Sequence, residues 1–243
     1  MGGRAVRVKR PRGLLIDYGG TLVEEVAFDA RAGHAWLLAQ AAEQHAGVTI
    51  DVVMARANRV SAELSERRHE FGVETPWPSI TRLVYDYFGI RFLAPMPELE
   101  LGFWDASTTT RRVPGAREAL DAFHMDGVAM AVVSNAMFGP DVIRHEIAKY
   151  GLADHLAFVT VSAEYVARKP SALLFEVAAA RLGLPPNEIW FVGDRVDTDV
   201  RGAQAAGMTA VWLRPPNATD STPDITVSGW AELRQCFEET TPG

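Results

Sequence analysis

The stretch LLIDYGGTL, residues 14–22, sets three apolar residues directly before a carboxylate, Asp17, and follows it with Gly19, Gly20 and Thr21. A short aliphatic run that stops on a charged residue reads as a buried strand whose carboxyl end opens into a turn. With 13–16 as the first strand, four further runs repeat the pattern at 128–133, 157–161, 189–192 and 209–213. Amphipathic stretches lie between the later ones and predict helices over 116–125, 141–150, 172–182 and 199–206. Gly151, Gly183 and Gly207 stand where three of those helices must stop. Strand and helix alternating at this spacing predict an α/β fold with a parallel sheet.

The first strand breaks the rhythm. About ninety residues lie between Thr21 and Arg112 with no strand pattern. Helical periodicity runs over 30–45, 51–71 and 79–88, and Pro76, Pro78, Pro95 and Pro97 punctuate the end of the region. The expected organisation is a core built from residues 1–21 and 112–243, with a helical domain inserted at 22–111. The tail after Pro215 is expected to be irregular before a short last helix near 230–237.

The 243 residues are 48% hydrophobic, enough for one large core or a core with a smaller companion domain. A net charge of −7 argues against non-specific nucleic-acid binding, which needs a basic face. No apolar run approaches the roughly 18 residues of a membrane span. Cys236 is the only cysteine, so neither a disulfide within the chain nor a cysteine-based zinc site can form, and a cytoplasmic location is expected. The basic segment GGRAVRVKRPR has no apolar signal region after it and reads as a solvated tail. The lysines are Lys9, Lys149 and Lys169 alone; arginine supplies the other cationic side chains.

In open α/β sheets, ligands bind outside the carboxyl ends of the strands. Strand one ends on Asp17, the next on Ser134 and Asn135. Arg168-Lys169-Pro170 follows the third, and the fourth ends on Gly193-Asp194 with Asp197 and Asp199 behind it. Singly, each has a plainer reading: Asp17 as a turn residue, Ser134-Asn135 as an N-cap pair, Lys169 as a solvated loop residue, the three aspartates as caps. Together, at successive strand ends, they would face one crevice. Clustered carboxylates repel unless a cation neutralises them, and Asp17 with Asp194 is a hard oxygen site suited to Mg²⁺. Ser134, Lys169 and backbone N–H groups can hold phosphate oxygens, while Asp17 can attack phosphorus. A lysine at 169, in so arginine-rich a chain, suits a compact point charge.

These segments resemble the haloacid dehalogenase superfamily of hydrolases. LLIDYGGTL looks like its first motif, VVSN its second, RKP its third, and FVGDRVDTDVRGAQAAGM its fourth. The resemblance implies a Rossmann-like core with a helical C1 cap that closes over the site and selects substrate. It implies Asp17 as nucleophile and Ser134 and Lys169 as catalytic phosphate ligands, with Asn135 and Gly20 also binding phosphate. Asp17, Asp194 and the Gly19 backbone carbonyl would hold Mg²⁺, with Asp199 in support. The implied substrate is a small phosphorylated metabolite, with no nucleic acid or membrane partner, and the protein a monomer or homodimer.

The sequence departs from the family's phosphatases at one point. They carry a second aspartate two residues after the nucleophile, as proton donor to the leaving group and then base for water; here that residue is Gly19. Metal and phosphate binding should survive, but a positioned acid or base contributes about 10²- to 10⁴-fold. Substrates with poor leaving groups should suffer most. Glu24 or Glu25, just beyond the motif, is a candidate substitute, set against two solvated acids in a loop. Phosphonoacetaldehyde hydrolases of the family use a cap lysine, and residues 22–111 contain none. A 2-haloacid dehalogenase and a phosphate-binding or regulatory protein with little turnover are the alternatives, as is phosphoryl transfer to an acceptor other than water. Trp36, Phe71, Trp77, Tyr85 and Trp104 are candidate lid residues, each more readily explained by core packing. His34, Arg56 and Arg82 are candidates to reach a substrate, each more readily explained as an exposed surface residue.

Overall fold

A computed structural model describes residues 9–43, 46–213 and 222–240. The basic N-terminal segment, the end of the 30–45 stretch and the start of the tail after Pro215 fall largely outside these residues. The strands are β1 (Gly13–Ile16), β2 (Val23–Phe28), β3 (Thr108–Arg112), β4 (Ala129–Ser134), β5 (Val159–Val161), β6 (Ile189–Gly193), β7 (Thr209–Leu213) and β8 (Ile225–Val227). Six of them form one sheet in the order β5-β4-β1-β6-β7-β8, every pair parallel. Setting β2 and β3 aside, this is the doubly wound order 3-2-1-4-5-6. β1 lies at the centre, with Ile16 opposite Val132 on one side and Val192 on the other. The carboxyl ends of β1, β4 and β6 therefore lie side by side.

The helices are α1 (Ala30–Ala39), α2 (Ile50–Phe71), α3 (Trp77–Tyr85), α4 (Met96–Ser107), α5 (Ala116–Met125), α6 (Pro140–Lys149), α7 (Ser162–Tyr165), α8 (Ala172–Leu182), α9 (Arg201–Ala205) and α10 (Trp230–Glu239). Strand alternation sorts the sheet's side chains onto two faces. Leu15, Ala131, Val133 and Phe191 pack with Phe175 and Ala178 of α8 and Ala203 of α9. Leu14, Ile16, Met130 and Val192 face the larger core, which holds Phe123 of α5, Ile147 of α6 and Trp230 of α10. Buried on both faces, these strands read as continuous apolar runs.

α1 to α4 follow β2 and precede β3. Asp29 caps α1 and Thr49 caps α2, each accepting a backbone N–H through its side chain; Gly72 ends α2 in the left-handed conformation at φ 63°. An aromatic cluster joins these helices to the loop after β4. Trp77 and Phe103 stack on Phe138, and Trp104 meets it edge-on at 4.9 Å.

Several expectations need correction. The region between Thr21 and Arg112 is not strandless at its ends: β2 and β3 pair antiparallel as a two-stranded ribbon. Its residues, VEEVAF and TTTRR, are mostly polar or half-exposed, so no apolar run marks them. The first insertion helix stops at Ala39 and the third spans Trp77–Tyr85 before a 3₁₀ turn at Asp86–Phe88. α4 was hidden because Pro95 and Pro97 read as breakers, whereas Pro95 is its N-cap and Pro97 lies in its first turn, where a missing N–H costs nothing. Residues 196–200 form a π-turn, and α9 begins only at Arg201. β8 is too short and too mixed to show a pattern.

Candidate active site

The turn after β1 is tight. Gly20 N–H donates to the Val23 carbonyl at 2.8 Å, and Leu22 and Val23 N–H groups return to the Tyr18 carbonyl. Gly20 has φ +77°, and a Cβ there would lie 2.3 Å from Asp194 Oδ2, so this position requires glycine twice over. Gly19 differs: its φ is not left-handed and a Cβ would meet no atom within 4 Å. Gly193, at the end of β6, lets Asp199 fold back against the strand, where a Cβ would come within 2.4 Å of its carboxylate.

Lys169 joins the strand ends. Its side chain is 1% exposed, and Nζ donates to Asp17 Oδ1 at 2.6 Å and to the Val133 carbonyl at 3.0 Å, with Asp199 Oδ1 at 2.8 Å. Asn135 holds the lysine's backbone, accepting from Lys169 N–H at 2.8 Å and donating to its carbonyl at 3.0 Å. The Asn135 amide is thus engaged in fixing the loop, which leaves its backbone, not its side chain, for a ligand. Ser134 is buried on the same cavity floor as Asp17 and Lys169.

The floor holds more negative than positive charge. Oxygens of Asp17, Asp194 and Asp199 lie within 4.8 Å of one another, against one ammonium. Burial pushes the Asp17 carboxyl up to about 7 despite the pull of Lys169, with Asp199 and Asp194 adding to the rise. Burial and then Asp199 raise Asp194 as well. Burial opposes the charge on Lys169, but Asp17 and Asp199 outweigh it and hold the ammonium above its ordinary range. Asp194 Oδ1 is buried and has no hydrogen-bond partner among the described residues. An unpaired buried carboxylate oxygen, in an all-oxygen cluster with surplus negative charge, fits a hard divalent cation.

A cavity of about 580 Å³ rises from this floor. Tyr18, Val23, Glu25 and Thr110 line one side, Trp104 and Phe138 the apolar part, and Arg68, Glu74, Arg168 and Arg195 the rest. Glu74 has a buried side chain and binds Arg168, Ser162 Oγ at 2.7 Å and Arg68 at 3.5 Å. Glu74 and Arg168 were not singled out from the sequence; the one signal was that Arg168 precedes Lys169. Among the aromatic candidates, Trp104 lines the cavity, Trp77 and Tyr85 are buried in packing, and Phe71 is exposed. His34 is not exposed as expected. It is 9% accessible, its Nδ1 lies 3.0 Å from Tyr85 Oη, and burial lowers it to about 4. Arg56 donates to the Leu83 carbonyl and lies over the Tyr87 ring.

No helix among the described residues is long and apolar enough to cross a membrane. Residues 11–207 match the family model of the haloacid dehalogenase-like hydrolases. A phosphoserine phosphatase of Thermus thermophilus is 37% identical over 128 residues, 51% of this chain and 49% of that protein. A ribulose-1,5-bisphosphate 5-phosphatase of Halopiger xanaduensis is 31% identical over 53% of this chain and 54% of its own. The chain thus spans about half the length of these curated relatives. A phosphoglycolate phosphatase of Chromobacterium violaceum matches at 27% over 94% of this chain and 97% of its own. Among solved structures, a 2-haloacid dehalogenase from Pseudomonas syringae superposes with a TM-score of 0.63 at 21% identity, covering 93% of this chain and 97% of its own. A phosphatase from Thermococcus onnurineus gives 0.57 at 21%, covering 94% and 98%. At these identities the likeness is one of fold.

Proposed function

The chain belongs to the haloacid dehalogenase-like hydrolases, and from that premise we propose that it is a Mg²⁺-dependent phosphatase acting on a small phosphate ester through an aspartyl-phosphate. The observation that carries the reading is Lys169 Nζ, 2.6 Å from Asp17 Oδ1 on the buried floor of the cavity. The ammonium holds the nucleophile in place and offers positive charge where phosphate oxygens would come to rest. Ser134 and the backbone N–H group of Asn135 are the further phosphate ligands; the Gly20 N–H, expected to join them, is engaged by the Val23 carbonyl at 2.8 Å. Asp17, Asp194 and the Gly19 carbonyl would hold Mg²⁺, and Asp199, tied to Lys169 and to Arg195 N–H at 3.0 Å, would support them. The bound cation supplies charge neutralisation, which lowers the Asp17 carboxyl and favours its ionised form.

Asp17 attacks phosphorus, the bond to the leaving oxygen breaks, and water then cleaves the aspartyl-phosphate to restore the carboxylate. The helical layer, as a cap, supplies Arg68 of α2 and Trp104 of α4 to the walls above the floor, while Phe138, Arg168 and Arg195 come from loops of the sheet domain. A cavity of about 580 Å³ suits a metabolite-sized ligand. The curated relatives are named for small phosphate esters, and only that class is carried over here. The unpaired Asp194 oxygen favours this reading over a dehalogenase, which works without metal.

Phosphate release with Mg²⁺ from aryl, acyl and alkyl phosphates tests the proposal, with Asp17→Asn as control. The expected result is metal-dependent release, fastest from good leaving groups and lower by about 10⁴-fold or more in the variant. Gly19 favours a second reading, a phosphate-binding protein with little turnover. Absence of release with Mg²⁺-dependent binding of a phosphate analogue intact would establish that reading instead.

A further inference from the structure

We propose that Glu25 is the proton carrier of this site, protonating the leaving oxygen and then accepting a proton from the attacking water. This rests on the phosphatase reading above. Gly19 leaves open space at the cavity floor rather than a filled one, since a Cβ there would meet nothing within 4 Å. Val23 forms a backbone bridge with Gly19, and Glu25 follows two residues on, on the same face of β2 and about 7 Å along. Both line the cavity that contains Asp17, Ser134 and Lys169. Glu24 lies between them and turns to the other face, where its carboxylate pairs with Arg111 at 2.6 Å.

Two features single out Glu25 among the acids of the cavity. Asp17 and Asp199 share Lys169, Glu74 is held by Arg168, and Asp197 pairs with Arg195 at 3.2 Å. The Glu25 carboxylate forms no ion pair or hydrogen bond among the described residues. The β2–β3 register also slips between Glu25 and Ala27. Bulges of this kind re-aim side chains and recur beside active sites. Glu25 is solvent-exposed at the cavity mouth, where an ester's leaving group and water can both reach it.

The steps balance. As Asp17 Oδ bonds to phosphorus, the P–O(ester) pair passes to the leaving oxygen, which takes the Glu25 proton and departs as the alcohol. Glu25 carboxylate then takes a proton from water as the water oxygen bonds to phosphorus. The P–O(Asp17) bond breaks, phosphate leaves, and Glu25 is again protonated.

The test compares kcat/KM for a simple alkyl phosphate and for 4-nitrophenyl phosphate in the full chain with Mg²⁺. Glu25→Gln should lower the alkyl value by about 10²-fold or more and leave the aryl value within about threefold, because nitrophenolate needs no proton to depart. Glu24→Gln should change neither. Adding Gly19→Asp to Glu25→Gln should restore alkyl turnover. Equal losses on both esters, or none on either, would overturn the assignment while leaving the phosphatase reading intact. No release from any ester by the unaltered protein would remove that reading, and the role of Glu25 with it.

Discussion

The strand ends and the helices above them handle buried charge in different ways. On the floor, three carboxylates cluster beside one ammonium that pairs with two of them, and an Asp194 oxygen has no hydrogen-bond partner among the described residues. In the helical layer the buried Glu74 is paired: it has Arg168, Arg68 and Ser162 around it. The first arrangement carries surplus negative charge that a cation can neutralise; the second sets two arginines around one acid and fastens α2–α3 to the loop carrying Lys169. A buried site short of counter-charge is built to bind, while a balanced one is built to hold.

Substitutions break this contrast, the largest effect first. Lys169→Met removes the one ammonium from the floor and should cost about 3–5 kcal/mol of stability without added Mg²⁺, read by denaturant unfolding. Excess Mg²⁺ should recover part of that loss.

The next effect is a pH dependence confined to the helical layer. Unfolded His34 takes up its proton near 6.5 and folded His34 near 4. The unfolded chain therefore binds more protons between those values, and stability falls as pH drops through that window, by about 3 kcal/mol in full. Asp17 works the other way: its folded value of about 7 exceeds the ordinary 3.8, so its penalty is absent below the lower value and complete above the higher one. Comparing unfolding at pH 4.5 and 7.5 between the wild type and His34→Leu separates the two, and the variant should lose less stability on acidification.

Glu74→Gln should cost about 2 kcal/mol, less than the lysine change because both arginines keep partial access to water. Its mark on activity should be a raised KM rather than a lowered kcat, seen in steady-state kinetics. The smallest effect sharpens the floor itself. Gly19→Ala should be neutral or stabilise by about 0.4–1 kcal/mol in thermal unfolding, since the site has room and an ordinary φ. Gly20→Ala, one residue on, should destabilise by more than that, because its Cβ would strike Asp194 at a left-handed φ.

Much of the floor could be read in advance because its residues sit at the ends of apolar runs. Asp17, Ser134 and Asp194 each follow a buried strand, and parallel β1, β4 and β6 are neighbours, so their ends must meet. The ribbon of β2 and β3 escaped because half-exposed strands of Glu, Thr and Arg leave no apolar signature, and with it went the orientation that separates Glu25 from Glu24. His34 looked like a surface residue by type, yet Tyr85 and Phe103 enclose it.

The sequence by itself determined the parallel core, the positions of Asp17, Ser134 and Asp194 at strand ends with Lys169 in a loop beyond the third, and the glycine at 19. Period-two burial and strand polarity are local properties, and they suffice to bring those ends together. Only the tertiary structure decided which charges meet. It gave Asp199 to Lys169, turned the Asn135 amide onto the lysine's backbone, and joined Glu74 to Arg168 across 94 residues. Such pairings depend on how helices and loops pack against one another, and no local periodicity encodes that packing.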